Sequence, residues 1–440
     1  MKQRQFVVAL GAGIGLVCLA ACGPGAPPPS SSYGRHPKID APTGGTIPTL
    51  NFVTVEPWPK GKAPKAPSGF TVTRYAEGLD HPRWMYQLPN GDILVSESAT
   101  LPKGPDDSFT QRLIGWLQRN SGAVAPSPNK IVLLRDADSN GVVDTQTTFL
   151  TGLNQPFGMV LVAGYLYVAN TDGVLRFPYK EGDTEITAEA EKILDLPAGG
   201  YNNHWTRNIV ANADGTKLYV SVGSGSNVGE NGLGNETRRA DILEINPDGS
   251  GERIFAFGIR NPNGMAWEPQ THVLWTVVNE RDLLGDDLVP DYLTRVRDGD
   301  FYGWPYSYWG KHIDDRVSPQ KPELVAKAIE PDYALGAHTA SLGLAFYTAS
   351  SFPEHFRGGT FVGQHGSWNR SYFSGYKVIY VPFKNGMPDG PPEDFLTGFL
   401  VDPKAGKAYG RPVGVSLDRT GALLVADDAG NIIWRVARAN

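Results

Sequence analysis

Two polar residues, His204 and Arg260, stand at equivalent places in neighbouring repeats of the chain and have the chemistry to act on a hydroxyl group. A neutral imidazole accepts a proton near neutral pH, and an arginine stabilises negative charge that develops on an oxygen. Each residue also has a structural interpretation. His204 would simply bond a loop carbonyl, and Arg260 would form an ion pair with Glu280 or Asp282. Either residue alone is therefore weak evidence.

Further polar residues occupy comparable points of other repeats. Gln155 and Arg411 precede the strand-like runs of their own repeats, and Arg370 comes after another such run. In a ring of similar sheets the same point of each repeat faces the central channel, so these side chains are expected to converge with His204 and Arg260. Several cations around one cavity predict an anionic ligand with multiple carboxylates or phosphates.

A separate acidic segment resembles the first half of a calcium-binding loop. Oxygen-bearing side chains alternate along it and a glycine marks the bend; the candidate ligands are Asp136, Asp138, Asn140 and Asp144. The position of the closing glutamate is occupied by Thr147. Because Asp, Asn and Gly are also ordinary turn residues, a structural calcium site and a plain turn both stay open.

The elements that position these residues are short strands in a sixfold repeat. Each unit has a turn marked by Gly or Pro and then an apolar, strand-like run, and these runs begin near residues 93, 165, 218, 273, 359 and 423. Six such units, without amphipathic helices between them, predict an all-β fold, namely a six-bladed β-propeller. Residues 70–75 are expected to complete the last blade beside residues 432–436.

The first 68 residues are predicted to precede this domain. Lys2 and Arg4 come before an apolar run, and the small residues ahead of Cys22 resemble a bacterial lipobox. Residues 1–22 are therefore expected to be a signal peptide, Cys22 the lipidated residue, and residues 23–68, rich in Pro, Gly and Ser, an extended tether. Residues 69–440 then form the propeller. Gly23 after the cysteine favours an outer-membrane anchor.

Composition argues against several other classes. The formal net charge of −6 gives no basic surface for nucleic acid, so no such partner is expected. The only two cysteines are Cys18 and Cys22, which leaves the mature fold without a disulfide. No Gly-x-Gly-x-x-Gly fingerprint comes after a strand, which argues against a nicotinamide cofactor.

Three motifs in the order found here resemble a known family. They are residues 258–264 (GIRNPNG), residues 299–305 (GDFYGWP) and His204 ahead of a strand that ends in Gly. The combination resembles the soluble pyrroloquinoline-quinone-dependent glucose/sorbosone dehydrogenases, and is more similar to the sorbosone branch. Residues 279–287 occupy the place of the family's Ser-Glu-His/Gln-Gly-Pro loop.

The resemblance implies a role for each matched residue. His204 matches the general base, and Arg260 matches the arginine that polarises the reactive quinone carbonyl. Residues matched to other cofactor contacts are Asn261, Gln155, Arg370 and Arg411. The backbone carbonyls matched to the cofactor's Ca²⁺ are those of Arg281, Asp282 and Leu283. Two positions depart from the pattern: Val413 replaces a second arginine, and Ser224 stands where glucose dehydrogenase has an aspartate.

The expected function is that of a periplasmic quinoprotein that oxidises an aldose or sugar aldehyde. Electrons would pass to an external cytochrome or quinone, and contact with a membrane would be made only through the lipid anchor. Two alternatives stay open. One is a calcium-dependent lactonase or hydrolase that uses carboxylates such as Asp286 and Asp287. The other is a non-enzymatic propeller that binds a glycan or a protein.

Overall fold

Strands make up most of the regular structure. The computed structural model describes residues 30–43, 49–101 and 109–439, so the proposed signal peptide, Cys22 and the start of the proposed tether lie outside the described residues. Within these ranges the α-helices are Phe109–Asn120 and Pro322–Val325, and the 3₁₀ turns are Ser30–Ser32, Leu233–Glu236 and Glu354–Phe356. None of the described helices has the length and apolar character needed to cross a membrane. The all-β prediction is confirmed.

Six antiparallel sheets, each built on four main strands, dominate the described residues, and they are numbered here in chain order. Sheet 1 contains Pro82–Gln87, Ile93–Glu97, Lys130–Arg135 and Thr145–Leu150. Sheet 2 contains Met159–Val162, Tyr165–Asn170, Gly173–Pro178 and Glu191–Asp195. Sheet 3 contains Ile209–Ala211, Leu218–Val222, Asp241–Ile245 and Arg253–Phe257.

The other three sheets have the same order of strands. Sheet 4 contains Pro262–Trp267, Leu274–Val278, Pro290–Val296 and Tyr333–Ala337. Sheet 5 contains Ser341–Phe346, Thr360–Gln364, Lys377–Val381 and Glu393–Leu396. Sheet 6 contains Pro412–Leu417, Leu423–Asp427, Ile432–Arg438 and, from the other end of the domain, Phe70–Ala76.

The predicted pairing of the two ends of the domain is confirmed. Phe70 lies opposite Arg438 and Ala76 opposite Ile433, so the first long strand is the fourth strand of sheet 6. The first strand of each sheet also contacts the first strand of the next, and the first strand of sheet 6 contacts that of sheet 1. An exposed sheet edge is thereby avoided where the chain of sheets begins and ends.

Antiparallel pairing places the functional loops at one end of these sheets. Pro82 pairs with Glu97, Pro262 with Val278 and Pro412 with Asp427, so a first strand begins where the second strand ends. The second strands are apolar and almost completely buried, as expected for strands covered on both faces. Polar residues just before a first strand or just after a second strand therefore share one rim, called here the mouth.

The predicted tether requires correction in its described part. Tyr33–Gly34 adds a fifth strand to sheet 4, and Thr54–Val55 runs parallel to Lys407–Ala408. Val53 and Trp58 are buried in the core, and Trp58 Nε1 donates to Asp427 Oδ2 at 2.8 Å. Average composition concealed these few apolar residues among the prolines. Residues 49–58, called the strap, therefore belong to the folded domain.

The expected absence of helices between repeats also requires correction. Phe109–Asn120 is a helix within the long connection between the second and third strands of sheet 1. Gly115 lies inside it and lowers its intrinsic helix propensity, which weakened the sequence signal. The helix lies in a connection at the mouth and leaves the succession of strands unchanged.

The strap yields a prediction about domain boundaries. A chain that begins at residue 69 loses the buried side chains of Val53 and Trp58, and removal of a buried tryptophan alone costs about 3–5 kcal/mol. We expect this chain to unfold at clearly lower urea concentration than a chain that begins at residue 30, as measured by tryptophan fluorescence. Equal midpoints would show that the strap contributes nothing to stability.

Candidate active site

His204 lies at the mouth, five residues before the first strand of sheet 3, and its ring is held in one orientation. Nδ1 lies 2.7 Å from the Ser224 carbonyl oxygen and 2.9 Å from Ser224 Oγ. The Ser224 hydroxyl itself donates to the Ser226 carbonyl at 2.7 Å. Because a carbonyl can only accept, Nδ1 carries the hydrogen of the neutral ring. Nε2, which has no hydrogen bond to any described residue, then carries the lone pair.

The charge state of His204 is set by its surroundings. Desolvation of the ring and the nearby Arg260 guanidinium lower the pKa of His204 to about 3. The residue is therefore neutral at ordinary pH, which is the state required of a proton acceptor. The structural interpretation, a bond to a loop carbonyl, is also correct for Nδ1, and it is compatible with a reactive Nε2.

Gly223 allows His204 and Asn261 to approach each other. A Cβ atom at Gly223 would lie 2.5 Å from Asn261 Oδ1 and 2.6 Å from His204 Cβ, closer than any side chain permits. The Asn261 amide is thus packed beside the base. Its Oδ1 atom is buried without a hydrogen-bond partner in the described residues, a costly arrangement that a ligand donor would relieve.

Arg260 reaches the same region but is fully engaged by the protein. Its Nε donates to the Asn227 carbonyl and its Nη1 to the carbonyls of Asn279 and Glu280. Its Nη2 donates to Asn227 Oδ1 at 2.9 Å and to Asp282 Oδ2 at 3.0 Å. All five N–H groups therefore have acceptors. The contact with a quinone carbonyl stays a prediction, and it requires a ligand to replace one of these acceptors.

Asp282 links Arg260 to Asn369, which comes after the second strand of sheet 5, and to His338, which lies in the chain between sheets 4 and 5. Its Oδ1 accepts from Asn369 Nδ2 at 2.6 Å and lies 3.6 Å from His338 Nδ1. Burial opposes ionisation, but Arg260 and His338 hold the pKa of Asp282 well below its usual range. Burial likewise opposes charge on His338, whereas Asp282 raises its pKa. The sequence did not single out His338 or Asn227, because their partners are distant in the chain.

The proposed Ca²⁺ carbonyls differ in availability. The Asp282 carbonyl already accepts from Asn227 Nδ2 at 3.1 Å and from Arg316 Nη1 at 2.9 Å. The carbonyls of Arg281 and Leu283 accept no hydrogen bond from the described residues. The Arg281 side chain is buried against Glu280 and Asp314. Calcium at this segment stays a prediction, and it would have to displace a donor from the Asp282 carbonyl.

Arg411 belongs to a second buried cluster at the mouth, with Arg83, His365 and Asp428. Arg411 Nε donates to the His365 carbonyl at 3.1 Å and Nη2 to the Gly366 carbonyl at 3.1 Å. His365 Nε2 lies 2.9 Å from Asp428 Oδ2, which also pairs closely with Arg83. Burial opposes ionisation of Asp428, but His365 and Arg83 hold its pKa far below the usual range.

Arg83 was not predicted as a site residue from the sequence. The available signal was its position directly after a proline that starts a first strand, the position that Val413 has in sheet 6. Its Nε is buried without a hydrogen-bond partner in the described residues, and its guanidinium carbon lies 5.5 Å from the centre of the Trp205 ring. Since Trp205 is the residue immediately after His204, this contact connects the second cluster to the base.

The two other residues predicted to bind the cofactor are engaged elsewhere. Gln155 Nε2 donates to the Ala99 carbonyl at 2.8 Å and so holds the long connection of sheet 1. Arg370 Nε donates to the Asp286 carbonyl at 2.9 Å, and its Nη2 pairs with Asp287 at 2.7 Å. The Arg370 side chain therefore stabilises the loop after Asp282.

The separate acidic loop brings three of its four candidate ligands together. Carboxylate oxygens of Asp136, Asp138 and Asp144 lie within 4.8 Å of one another. Many of these oxygens accept backbone N–H groups of the same loop, including the Gly141 amide on Asp136 and the Ala137 amide on Asp144. Asn140 turns its Oδ1 to the Val142 amide at 2.8 Å. Both the calcium and the turn interpretation are compatible with this arrangement.

Comparisons with known proteins agree with the motifs. Residues 165–367 match the family model "Glucose / Sorbosone dehydrogenase", and residues 318–439 match "TrAA12-like". The chain is 31% identical over 301 residues to an uncharacterized protein of Borreliella burgdorferi, covering 66% of this chain and 77% of that one. It is 33% identical over 123 residues to aldose sugar dehydrogenase YliI of Escherichia coli, covering 27% and 32%.

The fold is also shared with a solved structure. The holo form of the PQQ domain of pyranose dehydrogenase from Coprinopsis cinerea superposes with a TM-score of 0.69 at 20% identity, over 88% of this chain and 100% of that one. At this identity the likeness concerns the fold.

The buried ion pair gives a prediction about stability. Asp282→Asn keeps the shape of the side chain but leaves Arg260 buried without its carboxylate, a change that typically costs about 3–5 kcal/mol. We expect a large decrease in the free energy of unfolding in urea. Asp298→Asn is the control, because Asp298 pairs with Arg253 at an exposed site and its loss should scarcely move the midpoint. Similar midpoints for the two variants would contradict the assigned importance of the Arg260 pair.

Proposed function

Because this chain belongs to the glucose/sorbosone dehydrogenase family, we propose that it is a quinoprotein sugar dehydrogenase in which His204 accepts the proton of a sugar hydroxyl. The observation that carries the proposal is the neutral His204 ring, with Nδ1 bonded to a carbonyl and Nε2 available, beside Asn261 and Arg260. The proposed substrate is an aldose or a sugar aldehyde.

The proposal extends to the architecture. The six four-stranded sheets are taken as six blades of a closed β-propeller, with their first strands around the central channel. The cyclic contacts of these strands and the pairing of residues 70–76 with residues 432–438 support this interpretation. The mouth is then the end of the channel at which substrate enters.

The residues at the mouth fit an acidic, planar cofactor such as pyrroloquinoline quinone. Arg83 Nη2 and Arg411 Nη1 make no hydrogen bond to a described residue, and Asn261 Oδ1 accepts none from the described residues. Carboxylates would pair with the two arginines, and an N–H group or a bridging water would satisfy Asn261. When bound, this group supplies the two-electron oxidising chemistry that amino-acid side chains lack.

His204 supplies the base for the proposed reaction. The Ser224 carbonyl fixes the Nδ1–H tautomer, so Nε2 would take the proton of the sugar hydroxyl. The bound quinone would supply the acceptor for the hydride of the carbon that carries this hydroxyl. The cation of Arg260 disfavours the imidazolium form in the ligand-free protein. Negative charge on an acidic ligand at the mouth would favour the imidazolium form and so make His204 a stronger base.

Arg260 contributes mainly as a fixed positive charge. Its five donors are held by Asn227, Asn279, Glu280 and Asp282, so the guanidinium does not need to reorganise during the reaction. A direct bond to a quinone oxygen would require Asn227 or Asp282 to release one N–H. Ca²⁺ at the carbonyls of residues 281–283 is proposed as a second electrophile. Its binding would likewise require a donor to leave the Asp282 carbonyl.

The remaining parts of the proposal concern location and electron transfer. Cys22 is proposed as the lipid attachment site of a periplasmic protein at the outer membrane, and electrons are proposed to pass to a cytochrome or quinone. Their basis is the amino-terminal sequence and the absence of a nicotinamide fingerprint. The hydrolase alternative is weakened because Asp287 pairs with Arg370 and the Asp286 carboxylate accepts from Ser371.

The base assignment is tested by His204→Gln. Titration of the protein that begins at residue 30 with pyrroloquinoline quinone and Ca²⁺, and then dye reduction over a panel of aldoses, should give saturable binding and turnover. The variant should bind the cofactor with unchanged affinity and lose about 100-fold or more in turnover, as expected for removal of a general base. Equal turnover would remove His204 from the mechanism, and no cofactor binding by the unsubstituted protein would contradict the whole proposal.

The charge states at the mouth give a pH prediction for the cofactor-free protein. The pKa of His204 is lowered to about 3, so its ring should show no titration between pH 5 and 8. The pKa of His338 is raised, so its proton should persist above pH 6.5. Histidine NMR measures the titration of both rings. The variants His204→Gln and His338→Gln identify their signals, because each variant lacks the signal of the ring that it removes. Titration of His204 near pH 6.5 would show that the ring is not desolvated beside Arg260.

A further inference from the structure

Two arginines next to the base are buried without a carboxylate partner. Arg207 is 0% exposed and Arg239 is 4% exposed. No acidic group of the described residues lies within ion-pair distance of either guanidinium, whereas Arg83, Arg260 and Arg281 at the same mouth are all paired. Burial of an arginine without a counter-charge is unfavourable, so this arrangement calls for a specific explanation.

Arg207 connects the pair to His204. Its Nη1 donates to the His204 carbonyl at 2.6 Å and to the Thr206 carbonyl at 3.0 Å. Its Nη2 donates to the Pro197 carbonyl at 2.8 Å and to Asn202 Oδ1 at 3.1 Å. Only Nε lacks a partner in the described residues, and that atom is sealed from solvent. Arg207 is therefore committed to holding the loop that carries the base.

Arg239 is engaged much less. Its Nη1 donates at 2.8 Å to Asn202 Oδ1, the same oxygen that Arg207 uses. Its Nε and Nη2 have no acceptor in the described residues and, unlike Arg207 Nε, keep contact with solvent. Two guanidinium groups thus share one neutral oxygen. Burial and the charge of Arg239 lower the pKa of Arg207 to about 9, which reflects the excess of positive charge.

The acidic groups whose charge acts on the two arginines, Asp172 on Arg207 and Glu236 on Arg239, lie beyond ion-pair distance, and Glu236 is already occupied. Glu236 accepts from the Gly225 amide at 2.7 Å and forms a close hydrogen bond with Ser226. It makes no ion pair with Arg239, which places its carboxylate beyond 4.0 Å. These contacts fix Glu236 to the segment that carries Ser224, the partner of His204. The open side of Arg239 is therefore suited to an anion from outside the chain.

We propose that Arg239, with Arg207 behind it, binds a carboxylate of the substrate, so that the preferred substrates are sugar acids with a free reducing end, such as hexuronic acids. This inference rests on the proposed sugar dehydrogenase function. A hexuronic acid carries its carboxylate and its oxidisable carbon at different ends of the molecule, which matches an anion site and a base on adjoining segments. Arginine binds carboxylates with directional, charge-assisted hydrogen bonds.

The test compares sugars that differ only at C6. The holoprotein is assayed with glucuronate and glucose, and with galacturonate and galactose. We expect kcat/KM to be about 10- to 100-fold higher for each acid, the range that a hydrogen bond to a charged group supplies. Arg239→Gln should abolish this preference while changing kcat/KM for the neutral sugars less than twofold.

Arg238→Gln is the matched control. Arg238 is the neighbouring residue, but it pairs with Glu252 at 2.6 Å and donates to the Asp195 carbonyl at 2.8 Å. The preference for acids should persist in this variant. Equal loss on acid and neutral sugars in Arg239→Gln would overturn the proposal, because Arg239 would then only hold the loop. Absence of any acid preference in the unsubstituted protein would also overturn it.

A binding measurement separates this inference from the proposed function. Calorimetric titration of the cofactor-free protein with glucuronate should show binding that is lost in Arg239→Gln and retained in Arg238→Gln. If the protein binds glucuronate in this way but oxidises no sugar when loaded with cofactor, the anion site stands and the dehydrogenase proposal fails. If it oxidises neutral sugars but does not bind glucuronate, the dehydrogenase proposal stands and the anion site fails.

Discussion

The site depends on the pairing of first and second strands within each sheet. Because the two strands are antiparallel, the residue before the first strand and the residue after the second lie at the same rim. His204 and Ser224 meet in this way in sheet 3, and Arg260 and Glu280 meet in sheet 4. A shift of register by one residue would turn these side chains away from each other and would expose the apolar faces of the strands.

Charged residues at this rim are held in place by partners from different sheets. Asp282 pairs with Arg260 of its own sheet and accepts a hydrogen bond from Asn369 of sheet 5. Asp428 of sheet 6 pairs with Arg83 of sheet 1. Each such contact joins segments that are far apart in sequence, so the loops and the packing of the sheets stabilise one another. The strap adds to this, since Asn51 donates to the carbonyls of Arg370 and Ser371. That segment is adjacent to Asn369, which contacts Asp282.

Repetition along the chain made some site residues predictable, whereas contacts between repeats left no signal in the sequence. His204, Arg260 and Arg411 were recognisable because each occupies the same place in its own unit. Asn227 and His338 were not, because their importance arises from Asp282, which lies 55 and 56 residues away along the chain. The strap was missed for a different reason: composition averages over a segment, whereas Trp58 is anchored by one indole hydrogen bond to Asp427.

Repetition also led to an overestimate of how many cations are available to a ligand. Placement at the mouth does not leave a side chain free, because a buried guanidinium must satisfy its donors in the absence of ligand. Arg260 does so completely and Arg207 nearly so, through carbonyl and amide oxygens that cannot leave without cost.

The cations able to select a ligand are then those with open N–H groups, namely Arg83, Arg411 and Arg239. Two of these lie in or beside the cluster of Asp428, and the third lies beside the loop of His204. The cofactor and the substrate would thus be recognised by separate arginines. A change in the charge of the substrate would then leave cofactor binding intact.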